Sequence, residues 1–441
     1  ADTQRPLNVL CLDGGGVKGR NLMVMISEIE QACGRPVSEM FDLIAGSSIG
    51  GCGALFLSKF KDEATSKAKH AFVSLQSSCL QHRSMLRLAS RGHLCLDQRP
   101  SFMRDLVGTQ TLSSDGPRAF AVASREGKQG LEPFLFRTYD CSSTSENGET
   151  AASLEAGGCG KSAFPGTSAA QLWEAVVATS AAPIIFPRAH FDGMRFADGG
   201  LVANDPTLIA VREAASLWPK RALGLVVSLG TGANEPEGTG VAGSAAGGGD
   251  VDGEEGGWKS LLPRAIKPMT NGLLRAIGCA DDPNAAQRVA ALVQRASPGA
   301  RYFRLQPHLP EPINPFEVDE TKLSAMEEHT RNHFRQSRLA AEVCSRLVES
   351  RMPRDVVRDV RTLVPFRGGA EEGVTSHSAG MPFSPSDLNG RVEDNVATRS
   401  SGLPFTSNDA SFAHRYRYDV ELERAPLSAR VEEVNEDRRE R

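Results

Sequence analysis

The sequence predicts an α/β protein with parallel strands, and two stretches near its N-terminus carry that prediction. Leu7 to Leu12 is a short apolar run stopped by glycines, and a helix is expected from about Arg20 to Cys33. The apolar residues of that helix keep a helical spacing, and Gly34 is placed to end it. A second strand, Asp42 to Ala45, leads into a second helix from Ile49 to about Lys59. Two successive strand–turn–helix units are typical of parallel α/β folds.

Further strands and helices follow, with interruptions of biased composition. The remaining predicted elements are helices over about 63 to 107, strands at Arg118 to Ser124 and Pro133 to Tyr139, a helix at Ala170 to Thr179, strands at Leu223 to Leu229 and Tyr302 to Leu305, and a mostly helical stretch from Ala325 to about Leu363. Segments rich in Gly and small residues near 141–167 and 233–257 are predicted insertions. Residues 366–441 are predicted to be a disordered tail, which leaves a catalytic domain over residues 1–365.

Composition narrows the class of protein. The chain has 441 residues with a formal net charge of −4, which argues against a nucleic-acid-binding surface over the whole protein. No apolar run approaches the roughly 18–20 residues of a membrane-spanning helix. The N-terminus has no signal-peptide pattern and no initiator Met, so the chain is expected to be a processed product or a fragment of a longer protein. The nine cysteines are predicted to be mostly buried free thiols in a reducing compartment. Several of them lie in apolar runs: Cys11, Cys33, Cys52 and Cys344.

The strongest local signal for chemistry is the G-x-S-x-G run from Gly46 to Gly50, between a predicted strand and a predicted helix. Such a nucleophile elbow exposes its serine on a strained turn, because the flanking glycines let the strand and the helix approach each other. The helix N-terminus favours developing negative charge beside that serine. Ser48 is therefore the candidate nucleophile, and an ordinary glycine-rich turn is the alternative.

A second glycine loop runs from Asp13 to Gly19 with the sequence DGGGVKG. It matches the dinucleotide-binding pattern, but the second strand lacks the acidic residue at its end that this interpretation requires. A P-loop is excluded because no Lys-Ser/Thr pair follows. Beside a serine elbow, the N–H groups of Gly14, Gly15 and Gly16 can form an oxyanion hole. Lys18 either adds positive charge that suits a phosphate-bearing substrate or is a solvated loop lysine.

A serine nucleophile needs a base. Of the nine histidines, His190 and His308 are the nearest candidates for a triad. The sequence around each of them favours a structural residue over a catalytic one. The run FADGG instead places Asp198 at the mouth of a tight turn formed with Gly199 and Gly200. A turn aspartate without catalytic function is the alternative.

The three motifs, in this order, resemble the patatin-like phospholipase family. The sequence between and beyond them is also similar to that family, in FDLIAGSS at 41–48, ATSAAP at 178–183, GLVANDP at 200–206 and SLGTG at 228–232. Ser47 stands where the family usually has Thr, and Asp205 stands where it usually has Asn. Weaker similarity from Trp258 onward and over Tyr302 to Leu305 points to the calcium-independent phospholipase A2 branch.

This resemblance implies a three-layer patatin-like fold, with a central, mostly parallel sheet flanked by helices. It implies a Ser–Asp dyad, Ser48 as nucleophile and Asp198 as general base, acting through an acyl-enzyme intermediate without a metal or cofactor. The base needs a raised proton affinity, which partial burial gives. The implied substrate is a phospholipid or other acyl lipid at a membrane or lipid-droplet surface. A cytoplasmic, peripherally membrane-associated enzyme is the corresponding expectation.

Other functions stay open on the sequence. A neutral-lipid or lysophospholipid hydrolase fits the same scaffold, since acyl pockets are apolar whatever the head group. A catalytically inactive lipid-binding protein and a Ser–His–Asp hydrolase of another fold are further alternatives. Two segments are candidates for membrane docking or for core packing: Trp258 to Ile277, and the arginine stripe Arg83, Arg87 and Arg91. Asp250 to Glu255 is interpreted as a solvated acidic loop and not as a calcium site.

Overall fold

A central sheet organises the protein. The computed structural model describes residues 5–60, 63–80, 84–127, 130–141, 162–234 and 285–351. Within these residues the strands, in chain order, are β1 (Leu7–Leu12), β2 (Leu43–Ser47), β3 (Arg118–Gly127), β4 (Gly130–Arg137), β5 (Gly166–Thr167), β6 (Ala189–Phe191), β7 (Met194–Ala197), β8 (Leu223–Leu229), β9 (Ala233–Asn234), β10 (Arg301–Leu305) and β11 (His308–Leu309).

Most neighbouring strands of the sheet are parallel. Strands β10, β8, β1, β2 and β3 lie side by side in this order, all parallel. Strands β4 and β7 both pair antiparallel with β3, β6 pairs antiparallel with β7, and β5 extends the sheet parallel to β4. The chain places β2 on one side of β1 and β8 on the other. In such sheets the crevice beyond the carboxyl ends of these central strands is where ligands bind.

Helices cover both faces of this sheet. They are α1 (Arg20–Cys33), α2 (Val37–Met40), α3 (Ile49–Phe60), α4 (Ala64–Leu80), α5 (Met85–Arg91), α6 (Arg99–Val107), α7 (Leu172–Thr179), α8 (Gly200–Ala203), α9 (Thr207–Leu217), α10 (Ala285–Ala296), α11 (Glu320–Gln336) and α12 (Arg338–Arg351). Because side chains alternate along a strand, Leu10 and Leu12 of β1 enter a core with α1, α3 and α12. Val9 and Cys11 enter the opposite core with α9 and α10. The result is the expected three-layer α/β arrangement.

The fold class is confirmed, and several element bounds agree with the sequence. Helix α1 begins and ends where its pattern indicates, and Gly34 ends it in the left-handed conformation with φ 65°. The stretch before Asp198, for which the sequence analysis predicted no helix or strand, forms the β6–β7 hairpin. Its turn carries Asp192 and Gly193, both with positive φ. Asp-Gly between short apolar runs favours this hairpin turn, so the signal was present in the sequence.

Other expectations are corrected or lie outside the described residues. The long helical stretch over 63–107 is divided into α4, α5 and α6, and α9 and α10 had not been predicted. Several cysteines are free, as predicted, but Cys141 is disulfide-bonded. The tail over 366–441, the segment Trp258 to Ile277 and most of both insertions fall outside the described residues. None of the helices that the structure describes is long and apolar enough to cross a membrane.

Candidate active site

Ser48 occupies a strained turn between β2 and α3. Its φ is +53°, a conformation that few residues other than glycine adopt. A Cβ atom added to Gly46 would lie 2.0 Å from the carbonyl oxygen of Gly50, and one on Gly50 would lie 2.3 Å from the carbonyl oxygen of Leu12. Both glycines are therefore required for the strand and the helix to meet this closely. The elbow expected from the G-x-S-x-G run is present, with Ser48 in the expected place.

The Ser48 hydroxyl donates a hydrogen bond to Asp198. Its Oγ lies 2.7 Å from Asp198 Oδ2, and both residues are buried. The other carboxylate oxygen, Oδ1, accepts a bond from the N–H of Gly200 at 2.8 Å. The backbone of Asp198 is fixed as well, since its N–H donates to the carbonyl of Ala181 and its carbonyl accepts from the hydroxyl of Ser124. The carboxylate is thus held in one orientation toward the serine.

Burial makes Asp198 more basic than an ordinary aspartate. It raises the pKa of this carboxyl from 3.8 to about 6, against the opposing effects of Ser48, the Gly200 N–H and the Arg99 guanidinium. At neutral pH the carboxylate is therefore mostly ionised but holds a proton better than an exposed aspartate. A general base works best when its pKa is close to the working pH. Asp198 has the chemistry and the position to accept the Ser48 proton.

Thr179, at the end of α7, connects the two residues. Its Oγ1 accepts a hydrogen bond from the N–H of Ser48 at 3.0 Å, and it donates in turn to the carbonyl of Val122 at 2.5 Å. Its backbone carbonyl accepts a bond from the N–H of Gly199 at 2.9 Å. One residue therefore fixes the serine turn on one side and the aspartate turn on the other. In the sequence, Thr179 is part of the run ATSAAP at 178–183, which was singled out only because it resembles the family.

The first glycine loop lies against the serine. A Cβ atom on Gly14 would lie 3.1 Å from the Cβ of Ser48, so the backbone of the loop passes directly beside the nucleophile. The N–H of Gly14 already donates to the carbonyl of Asn204 at 3.1 Å. In the described part of the chain, the N–H groups of Gly15 and Gly16 have no protein acceptor. Gly15 and Gly16 therefore each retain a backbone N–H group that can donate a hydrogen bond to a ligand.

Asp13, which opens this loop, is paired with an arginine from a distant strand. Arg304 on β10 donates from Nη1 to Asp13 Oδ1 at 2.8 Å and from Nη2 to Oδ2 at 2.5 Å. It also donates to the hydroxyl of Ser228 at 2.7 Å. Burial raises the pKa of Asp13, and the Arg304 guanidinium opposes that rise. This bidentate pair fixes the start of the glycine loop, and sequence reasoning missed Arg304.

Lys18 does not match the solvated loop lysine considered from the sequence. Its side chain is buried, and Nζ donates to the carbonyl of Gly232 at 3.2 Å. The N–H of Val17 donates to the carbonyl of Pro315 at 2.8 Å. The loop is therefore anchored on both sides by segments that lie far away in the sequence.

Ser48 and Asp198 open into a mainly apolar pocket. It encloses about 670 Å³ of space not filled by protein atoms, part of it open to solvent. Its apolar wall includes Val17, Ile49, Phe72, Leu80, Phe186 and Phe316, and the side chains of Arg20 and Arg99 complete it. A pocket with this apolar lining suits a ligand with a hydrocarbon portion.

The remaining sequence candidates lie elsewhere. His190 is exposed on β6, and His308 is on β11. In the part of the chain that the structure describes, no hydrogen bond joins a histidine to Ser48 or Asp198, and no cluster of metal-binding side chains occurs. In the arginine stripe, Arg87 is half-buried and Arg91 exposed, whereas Arg83 lies outside the described residues. So does the acidic loop Asp250 to Glu255.

The comparison with known proteins agrees with this geometry. Residues 10–211, which contain all three glycine motifs and the Ser48–Asp198 pair, match the family model of patatin-like phospholipases. The chain carries a patatin-like phospholipase domain. Asn204 and Thr179 lie inside this matched range, whereas Arg304 of β10 lies beyond it.

The chain has relatives in plants, animals and bacteria. Over 274 residues it is 29% identical to Phospholipase A I of Arabidopsis thaliana, covering 51% of this chain and 21% of that protein. Over 334 residues it is 28% identical to the 85/88 kDa calcium-independent phospholipase A2 of Rattus norvegicus, covering 72% and 37%. The cGAMP-activated phospholipase of Pseudomonas aeruginosa is 27% identical over 260 residues, covering 58% and 69%. The chain thus spans well under half of the first two proteins, and the second supports the calcium-independent phospholipase A2 branch.

Proposed function

We propose that this patatin-like domain is a lipid acyl hydrolase of the phospholipase A type, with Ser48 as nucleophile and Asp198 as general base. The hydrogen bond of 2.7 Å between Ser48 Oγ and Asp198 Oδ2 is the observation that carries this proposal. It lies on a strained elbow, beside two N–H groups that have no acceptor among the residues the structure describes. A serine hydroxyl is a weak nucleophile until an adjacent base takes its proton. Asp198 is the base within hydrogen-bonding distance.

The reaction proceeds in two halves. Ser48 Oγ attacks the ester carbonyl carbon while its proton passes to Asp198, and the N–H groups of Gly15 and Gly16 stabilise the resulting oxyanion. Collapse of this intermediate expels the alcohol, which takes the proton from Asp198, and leaves the acyl group on Ser48. Water then gives a proton to Asp198 and attacks the acyl carbon of the acyl-enzyme. This second intermediate collapses as the bond to Ser48 Oγ breaks, Oγ takes the proton back from Asp198, and the fatty acid is released. Backbone N–H groups supply the charge stabilisation, so the proposal needs no metal or cofactor.

The pocket supports a long-chain acyl substrate. Its mainly apolar wall fits a hydrocarbon chain, and the relatives named as phospholipases favour a phospholipid over a neutral lipid or a lysophospholipid. Such substrates lie in a membrane or a droplet, which places the enzyme at a lipid surface. Docking there through Trp258 to Ile277 stays a prediction from the sequence.

Removal of the Ser48 hydroxyl tests the nucleophile. Ser48→Ala is expected to abolish both ester hydrolysis on a panel of lipids and covalent labelling by a fluorophosphonate. Ser47→Ala is the matched control, because Ser47 is the preceding residue and its buried hydroxyl has no hydrogen-bond partner in the described structure. This control is expected to keep labelling and hydrolysis. A wild-type protein that binds lipid vesicles but resists labelling would support the inactive lipid-binding alternative instead.

A further inference from the structure

A buried arginine forms part of the pocket that holds Ser48 and Asp198. Arg99 is the first residue of α6, and its side chain is 3% exposed. Its Nε and Nη2 donate to the two carboxylate oxygens of Asp97 at 2.7 and 2.9 Å. The guanidinium also lies over the ring of Phe186, 4.0 Å from its centroid. The bidentate bond to Asp97 and the stacking on Phe186 therefore fix the orientation of the guanidinium, and Asp97 compensates its charge.

The third nitrogen of this guanidinium binds the end of α7. Nη1 donates to the carbonyl of Val177 at 3.2 Å and to the carbonyl and hydroxyl oxygens of Ser180 at 2.5 and 3.1 Å. Carbonyls in the last turn of a helix lack partners within the helix, and a cation is favourable there. Arg99 thus fixes the main chain over 177–180 from inside the pocket.

That short segment orients both members of the dyad. Thr179 accepts the N–H of Ser48 with its hydroxyl and the N–H of Gly199 with its carbonyl. The carbonyl of Ala181 accepts the N–H of Asp198 at 2.9 Å. A shift of this segment would therefore move the serine and the carboxylate relative to each other.

We propose that Arg99 is a positioning residue of the hydrolytic site, acting on Ser48 and Asp198 through the segment 177–181. The inference rests on the proposed function and extends it to a residue outside the three glycine motifs. Arg99 also places a positive charge near Asp198, whose other polar neighbours are the hydroxyl of Ser48, the N–H of Gly200 and the thiol of Cys52 on α3. This charge opposes the effect of burial on the pKa of Asp198.

Arg104 offers a matched control on the same helix. Its guanidinium lies over the ring of Trp173, 4.4 Å from the centroid, so it also joins α6 to α7. Unlike Arg99, Arg104 is exposed and lies outside the lining of the pocket. Substitution at Arg104 therefore weakens the same helix pair without releasing the segment that contacts the dyad.

The experiment measures kcat and KM for a water-soluble short-chain ester over a range of pH with Arg99→Lys, Arg99→Met and Arg104→Met. Lysine keeps the charge but cannot bind Asp97 with two parallel bonds and also hold the α7 carbonyls. Both Arg99 variants are expected to lose about 10- to 100-fold in kcat with little change in KM, because small misplacements of reacting groups have effects of this size. Arg104→Met is expected to stay within about twofold of the wild type.

The pH profile separates positioning from a merely structural function. The acid limb of kcat/KM follows the ionisation of Asp198, and its midpoint does not depend on how much of a variant is folded. Loss of the positive charge in Arg99→Met is expected to move this midpoint to higher pH, whereas Arg99→Lys is expected to keep it near the wild-type value.

The inference is overturned if both Arg99 variants match Arg104→Met in kcat, or if the acid limb of Arg99→Met stays in place. With an active wild type and an inactive Ser48→Ala, either result leaves the proposed function intact. A wild type that hydrolyses no ester would contradict the proposed function and this inference together.

Discussion

Asp13 and Asp198 each open a glycine turn and are each buried, yet the protein surrounds them differently. Asp13 receives two parallel bonds from the guanidinium of Arg304, so its charge is compensated and both oxygens are occupied. Asp198 receives one bond from the Ser48 hydroxyl and one from the Gly200 N–H, and in the described structure no cation hydrogen-bonds to it. The same local motif, Asp-Gly-Gly, therefore has an arginine as its partner in one place and a serine hydroxyl in the other. The first partner fits an anchor for the glycine loop, and the second fits the general base that we propose for Asp198.

Asparagine substitutions at the two positions should show the difference between the two aspartates most clearly. Asp198→Asn keeps the size of the side chain but removes the proton acceptor, and we expect kcat to fall by about 10⁴-fold, the scale typical of a lost activating base. Asp13→Asn keeps the base and weakens only the anchor, so its loss in kcat should be much smaller. Steady-state hydrolysis of a soluble ester measures both values. Equal losses in the two variants would mean that Asp198 has no special function as a base.

Removal of the arginine tests the anchor itself. Arg304→Met leaves the buried Asp13 carboxyl without its cation. Because burial already raises the pKa of this carboxyl to about 7 beside Arg304, the carboxyl is expected to take up a proton in the variant. The loss in the free energy of unfolding should therefore be smaller than the cost of about 3–5 kcal/mol for a buried charge without its partner. Because Asp13 begins the loop that carries Gly15 and Gly16, kcat should fall as well. Urea unfolding and kinetics on the same preparation measure the two effects.

Arg301→Met is the control for that experiment, since Arg301 is an exposed residue of the same strand. The double variant Asp13→Asn/Arg304→Met provides a further check. If the two residues act as a pair, it should be less destabilised than the sum of the two single variants. Simple additivity would show that the pairing contributes nothing to stability.

The stability of the folded protein should depend on pH through the ionisation of Asp198. Because burial raises the pKa of Asp198 from 3.8 to about 6, the folded state binds a proton more tightly than the unfolded state. The resulting stabilisation is fully present below about pH 3.8 and is lost as the pH rises through about 6. The proposed mechanism uses the ionised carboxylate as the base, so activity should rise over the range in which this contribution to stability falls.

Asp198→Asn isolates that contribution. Asparagine stays neutral at every pH, so the variant should be more stable than the wild type at pH 7, by on the order of 3 kcal/mol for a shift of this size. The advantage should disappear below about pH 3.8, where Asp198 becomes protonated in the unfolded state as well as in the folded state. Thermal unfolding at a series of pH values gives the comparison. A variant that is less stable than the wild type at pH 7 would contradict the raised pKa.

The sequence predicted the parts of this site that are encoded locally. Ser48 and Asp198 could be singled out because each stands in a short glycine motif next to a strand, and the family resemblance implied their functions. The contact between the two side chains, which lie 150 positions apart, is formed only by the folded chain. Arg304 could not be found in this way, since its partner Asp13 lies 291 positions away along the chain. Nor could the sequence show that the Gly14 N–H is occupied by the carbonyl of Asn204, because only the folded chain brings that carbonyl to the loop.

The smallest effect is expected from the histidines. A Ser–His–Asp mechanism would require one of them beside Ser48, but the Ser48 hydroxyl already donates to Asp198, and His190 is exposed on the β6–β7 hairpin. His190→Ala and His308→Ala should therefore each change kcat/KM by less than about twofold, as substitutions away from a reacting centre do. The kcat/KM values of both histidine variants are to be compared with those of the wild type and of Ser48→Ala, measured under the same conditions. If either histidine proved as indispensable as Ser48, the carboxylate would be orienting a histidine in a conformation that differs from this one, and Asp198 would no longer be the base.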